Sequence, residues 1–194
     1  MNNVIICGVC VGEPKEDHSI HGRKFFKMEL KNKRLSGEED YIPVIAEERI
    51  IKGNYNGKTI NVYGNIKTHN IVEDGKNGLS VYLFAQKIEE EKEEIENKTN
   101  QVEFDGYICK KPTLRITPLT KKKISDFLLA VHRPTGKSDY IPCIAWGIDA
   151  QKVHKLSVGQ KISVKGRFQS RKYEKDGMEK VAYEISVWDL EETE

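Results

Sequence analysis

The sequence predicts an all-β chain of two tandem five-stranded barrels, each with a short helix between its third and fourth strands. An internal repeat is the first observation behind this. Asp40-Tyr41-Ile42-Pro43-Val44-Ile45-Ala46 returns as Asp139-Tyr140-Ile141-Pro142-Cys143-Ile144-Ala145, 99 residues on. Gly8 and Pro14 return as Gly106 and Pro112 at an offset of 98, and Gly57-Lys58-Thr59-Ile60-Asn61-Val62-Tyr63-Gly64 as Gly159-Gln160-Lys161-Ile162-Ser163-Val164-Lys165-Gly166 at 102. An offset that drifts by so little places small insertions in the loops between shared elements. Two copies of about 90 residues make a domain pair and not a solenoid. The second observation is strand-forming composition throughout both copies. The third is a run of ten residues, 89–98, holding six glutamates and two lysines. That run reads as a linker, or as a short solvated helix joining the copies. The expected organisation is a barrel over 1–88, an acidic linker over 89–98 and a second barrel over 99–190.

The elements are clearest in the second copy. Gln101–Cys109, Ile124–His132, Asp139–Trp146, Gln160–Tyr173 and Lys180–Trp188 are rich in β-branched and aromatic residues and bounded by Gly, Pro or Lys clusters, which reads as five strands. Asp176-Gly177 is a hairpin-turn signal between the last two. Ile148–Leu156 is the helical candidate between the third and fourth strands, with Asp149 as its cap. Five strands with a helix in that place is the plan of an OB-fold barrel. Alternate residues of a strand face opposite sides. Ile162, Val164, Gly166 and Phe168 therefore share a core face, as do Ile141, Cys143 and Ala145. The opposite parity carries Tyr140 and Trp146 on the third strand, and Arg167, Gln169, Arg171 and Tyr173 on the fourth. Aromatics that stack bases beside cations that hold phosphates are the equipment of a sequence-tolerant single-strand binder.

Composition narrows the class. Hydrophobic residues make up 38% and charged residues 32%, which suits a soluble domain with a modest core. No apolar run approaches the roughly 18 residues of a membrane span, and Met1-Asn2-Asn3 does not begin a secretory signal. Cys7, Cys10, Cys109 and Cys143 are too few for a disulfide scaffold and read as reduced thiols in a cytoplasmic protein. The net charge of +2 conceals an uneven distribution: residues 1–88 carry +2, 89–98 carry −4, 99–188 carry +8 and 189–194 carry −4. A basic second half suits a polyanionic partner, because fixed positive charge releases counterions from phosphates.

Several motifs carry no chemistry. Gly53-Asn54-Tyr55-Asn56-Gly57-Lys58-Thr59 has three residues where a P-loop needs four between the glycines, and a strand follows it where a helix is required. Gly136-Lys137-Ser138 lacks the first glycine, Val131 standing there. Cys7-Gly8-Val9-Cys10 has no second pair or nearby histidine to complete a tetrahedral site, so neither metal nor cofactor is expected. No Ser/His/Asp or paired-carboxylate constellation appears, and the chain reads as a non-enzyme. Asn97-Lys98-Thr99 is a glycosylation sequon that an intracellular chain would not use.

Beyond these features, Asn100-Gln101-Val102 leading to Gly106, Lys111-Pro112-Thr113-Leu114-Arg115, Phe127-Leu128-Leu129-Ala130-Val131, Asp139–Gly147 and Val158–Tyr173 together resemble the bacterial single-stranded DNA-binding protein family over nearly all of residues 100–189. The first copy resembles it more faintly, through Asp40–Ala46 and Gly57–Gly64. The resemblance implies that Tyr140, Trp146 and Tyr173 stack bases. Arg115, Lys121, Lys122, Lys123, Arg133, Arg167, Arg171 and Lys172 are the candidate phosphate contacts. In the first copy Glu47 replaces Trp146, Ile71 replaces Tyr173, His69 replaces Arg171 and Asn65 replaces Arg167, leaving Tyr41 as a weak contact. That copy is expected to bind weakly or to serve assembly. The family usually assembles four barrels, so two per chain imply a homodimer, with Trp188 as a candidate contact. The acidic end Asp189-Leu190-Glu191-Glu192-Thr193-Glu194 lacks the long linker and terminal aromatic common in the family, and a partner-recruiting role is not expected. The expected function is sequence-independent binding and protection of single-stranded DNA in replication, recombination or repair. The alternatives are a protein-interaction module of such a complex and an RNA-binding OB protein.

Overall fold

Alternating β-branched and aromatic residues give eleven strands in the computed structural model, which describes residues 1–193 except Asp74, 92–98, Leu119 and Asp176. They are β1 Asn2–Ile20, β2 Arg23–Lys33, β3 Glu39–Glu47, β4 Thr59–Glu73, β5 Lys76–Glu90, β6 Asn100–Ile108, β7 Thr113–Ile116, β8 Lys123–His132, β9 Ser138–Trp146, β10 Lys161–Lys175 and β11 Met178–Glu192. Most of the expected linker, the sequon asparagine and the aspartate of the expected hairpin turn lie outside the described residues. Two compact units emerge. The first comprises Asn3–Ile66 with Val81–Gln101, and the second Met1–Asn2, Lys67–Ser80 and Val102–Glu194.

In the second unit, β6 pairs antiparallel with β8 and β10, β8 with β9, and β10 with β11; β9 and β11 run parallel. Following those pairs around returns to β6, so the five strands close into a barrel with the strand order of an OB fold. Phe104, Leu129, Ile141, Ile162 and Phe168 are each completely buried, and Cys143, Ala145 and Val164 nearly so. The side-chain parity read from the sequence is thus the one the barrel uses. Each large core side chain contributes about 1.5–3 kcal/mol through burial. Gly166 belongs to this face for a different reason. It sits at the register shift between β10 and β11, where an added Cβ would lie 2.6 Å from the Ser186 carbonyl oxygen.

α1, Gly147–Lys155, leads from β9 toward β10 and buries Ala150 and Val153. Asp149 does not cap it: the N-cap position is Trp146, and Asp149 lies in the first turn, where its carboxylate accepts from Lys152 Nζ at 3.0 Å. An acid in the first turn still complements the helix dipole. β7 is a short strand missed in the sequence because its four residues follow Pro112 directly. It pairs with β8 through Thr113–Asp126 and Arg115–Ile124.

In the first unit, β1 pairs antiparallel with β2 and β4, β2 with β3, and β3 runs parallel to β5. A single 3-10 turn, Glu48–Ile50, stands where a helix was expected. Gly53 and Asn54 follow too soon for an α-helix to propagate. Gly64 takes the place of Gly166, and a Cβ there would clash with the Phe84 carbonyl oxygen.

Candidate nucleic-acid interface

The strand register of the second unit builds an outer face row by row. One row runs Tyr107, Ala130, Tyr140 across β6, β8 and β9. A second runs Asp126, Ile144, Ser186, Arg167 across β8, β9, β11 and β10. Along the β10–β11 hairpin the pairs of this parity are Gln169–Glu184, both buried, then Arg171–Ala182 and Tyr173–Lys180. Tyr140 is 48% exposed, Trp146 40% and Tyr173 36%, so all three expected stacking rings stand open on outward positions. The Trp146 indole N–H donates to Ser186 Oγ at 3.2 Å. That bond holds the ring edge down on β11. The Arg171 guanidinium lies 5.9 Å from the Tyr173 ring centroid, a cation–π arrangement that steadies the hairpin ring.

Tyr107 belongs to this face although the sequence reading passed over it. It is 37% exposed, its ring centroid lies 5.3 Å from that of His132, and Ala130 separates it from Tyr140. Two strand spacings of about 4.8 Å, with only a methyl group between, leave a slot flanked by two tyrosine rings. The signal was available: Val102, Phe104, Gly106 and Ile108 claim the inner parity of that strand, which turns Tyr107 outward.

The expected phosphate contacts divide by their partners. Lys121 and Lys122 are exposed, in the turn before β8. Lys123 Nζ donates to the Gln151 side-chain carbonyl at 2.9 Å. Arg115 is held by Asp126 at 2.5 Å, a bond that raises the arginine's pKa further. Lys172 pairs with Glu179 at 2.9 Å, which likewise raises its pKa. Arg167 lies opposite Ser186.

Arg171 sits over Glu184 at 3.3 Å; Glu184 is 5% exposed and also accepts from Gln169 Nε2 at 3.2 Å. A buried carboxylate therefore underlies the hairpin end of the face, where only cations were expected. Arg133 departs most from the expectation. Its Nε and Nη2 donate to Asp139 at 2.7 and 2.5 Å, and Nη2 also donates to the Thr68 carbonyl at 3.0 Å. Asp139 is 2% exposed and accepts the Thr68 backbone N–H at 2.6 Å. Arg34 and Asp40, the equivalent pair of the first repeat, make the same two-point contact at 2.7 and 2.8 Å.

The four cysteines form no disulfide. Burial pushes the Cys143 thiol well above its usual range, and the carboxylate of Glu184 pushes it the same way. Among the described residues no cluster of three or more His, Cys, Asp or Glu could hold a metal ion, and no helix is long and apolar enough to cross a membrane.

Residues 99–192 match the model of the single-strand binding protein family. The match spans just under half of the chain. It is 37% identical over 93 residues to a single-stranded DNA-binding protein of Clostridium tetani, an alignment covering 44% of this chain and 64% of that protein. Single-stranded DNA-binding protein 3 of Clostridium acetobutylicum is equally identical over the same length, with 44% and 65% covered. The chain thus spans just under two thirds of the length of these relatives. The whole chain superposes on the crystal structure of a deletion mutant of the single-stranded DNA binding protein from Thermus aquaticus with a TM-score of 0.79 and 21% identity, covering 94% of it. The wild-type structure of that protein gives the same score at 20% identity. At such identity the likeness shows the fold alone.

Proposed function

We propose that this chain is a non-catalytic, largely sequence-independent single-stranded DNA-binding protein acting in replication, recombination or repair inside the cell. The observation that carries the proposal is the outer face of the β6–β11 barrel: Tyr140 and Trp146 exposed on β9 and Tyr173 on β10, with β11 between those two strands, and Lys121, Lys122 and Arg167 in the same unit. Bases stack on the three rings at about 1–3 kcal/mol each, and the cations hold the backbone. Tyr107 joins Tyr140 as a fourth ring. The OB plan is read into both repeats, so that each chain supplies two barrels. A homodimer then presents four, and Trp188, 51% exposed on β11, is a contact available to it.

The test is Trp146→Ala in full-length protein, followed by fluorescence anisotropy of a labelled oligo-dT. The proposal expects affinity to fall at least tenfold with an unchanged circular dichroism spectrum. Undiminished affinity removes the stacking role. Mass in solution tests the dimer, and a monomeric mass refutes it.

A further inference from the structure

The first unit carries its own aromatic surface, in places that alignment of the two repeats does not reveal. On β3, Tyr41, Pro43, Ile45 and Glu47 share the outer parity. Phe25 of β2 lies opposite Glu47, and Phe84 of β5 lies beside Ile45 in the parallel register. Tyr82 has the parity of Phe84 and so faces the same way. Phe25 stacks on His18 with centroids 4.7 Å apart and planes 11° from parallel, and it meets Phe84 at 6.1 Å. At the offset of 102, Tyr82 and Phe84 stand where the second repeat has Glu184 and Ser186. Phe25, Tyr82 and Phe84 lie on the second and fifth strands, with Tyr41 on the third.

A second observation points to the kind of ligand. Lys15 faces Lys27 directly across β1 and β2, and Lys27 is in turn opposite Ile45 on the aromatic face. Both lysines are exposed, and neither has an ion-pair partner among the described residues. Like charges directly opposite on a sheet repel, and an anion seated between them removes that repulsion. Glu47 holds Arg49 at 2.8 Å and Glu39 holds Lys31 at 3.5 Å, while Glu29, two residues from Lys27 on the same face of β2, leaves both lysines without an ion pair among the described residues.

We propose that the first unit has a second single-strand-binding face, in which Tyr41, Phe25, Tyr82 and Phe84 stack bases while Lys15 and Lys27 clamp a backbone phosphate. The inference rests on the reading of the second unit as a DNA-binding barrel, and the experiment separates the two. Both tryptophans, Trp146 and Trp188, belong to the second unit, so intrinsic fluorescence reports that unit. The length of poly(dT) occluded per chain reports both.

The measurement compares wild type with Phe25→Ala/Phe84→Ser and with Lys15→Gln/Lys27→Gln, each checked for fold by circular dichroism and for mass by light scattering. The expected result is an occluded length cut by about half in the aromatic variant, with at least tenfold weaker binding of long oligomers. In the lysine variant the slope of log affinity against log salt should flatten by about 2, one for each phosphate-facing cation removed. Occluded length and salt slope unchanged in both variants overturn the inference, as does a changed mass with unchanged occlusion, which would make the surface a contact between chains. Wild-type protein that neither quenches nor occludes would instead overturn the reading of the second unit, and this inference with it.

Discussion

Arg133→Ala separates a structural arginine from a phosphate-binding one. Asp139 is 2% exposed and takes two hydrogen bonds from Arg133, at 2.5 and 2.7 Å, beside the Thr68 backbone N–H at 2.6 Å. Removing the guanidinium leaves a buried carboxylate with only the amide and hydroxyl of Thr68, and takes from the Thr68 carbonyl the bond that Arg133 Nη2 makes at 3.0 Å. Breaking a buried pair in this way costs about 3–5 kcal/mol. For a chain of this size each kcal/mol moves Tm by roughly 2–4 °C, so the expected drop is about 6–20 °C in a thermal melt. Affinity for oligo-dT, measured well below the new Tm, should change less than threefold, with an unaltered salt slope. An unchanged Tm, combined with weaker binding and a slope flattened by about 1, would show that Arg133 contacts phosphate and refute the argument. Arg34→Ala, which strips the completely buried Asp40 of its guanidinium, should produce a comparable loss of stability with equally little effect on binding.

Three further outcomes follow from the geometry. Gly166→Ala puts a Cβ 2.6 Å from the Ser186 carbonyl oxygen and 2.8 Å from Ile185 Cγ2, and should cost about 1–3 kcal/mol in urea denaturation. The Asp105 carboxyl is held below its usual pKa, first by the Ser163 hydroxyl and then by the Met1 amino group at 3.0 Å. Its contribution to stability is therefore present above the unfolded pKa of about 3.9 and is lost as pH falls through the lower folded value. Asp105→Asn should be less stable than wild type at pH 7, and the gap should close as the solution is acidified; a gap that widens with acid contradicts the assignment. Burial raises the Cys143 thiol well above the normal range, while Cys109 is only half-buried. A thiol reagent at pH 8 should label Cys109 in the folded protein and Cys143 only after unfolding.

Much of the second unit was legible because its strands alternate cleanly. The parity of Ile141, Cys143 and Ala145 against Tyr140 and Trp146 carried straight into the barrel. The repeated Gly64 and Gly166 marked the place where two strand backbones approach too closely for a side chain. Pairing across strands was not legible. Nothing in the sequence sets Glu184 apart from a solvent-facing acid, yet β11 buries it against Arg171 and Gln169. Arg133 looked like a free cation because its partner is six residues further along the chain, across the β8–β9 hairpin, and because Thr68 joins the pair from β4. The first repeat misled for the same reason. Alignment asks whether an aromatic stands at the matched position, and at Glu47 the answer is no. The register that sets Phe25 against Glu47 and Phe84 beside Ile45 is invisible until the strands are paired.

The measurement that tests the central claim most directly is tryptophan fluorescence during titration with oligo-dT at about 50 and 200 mM salt. Trp146 has its N–H tied to Ser186 and its ring open to solvent, so a stacked base should quench it. The account predicts saturable quenching, with affinity falling steeply between the two salts as phosphate contacts release their counterions. Saturation with no salt dependence would contradict the role given to the lysines and arginines. No quenching at either salt would contradict the claim itself.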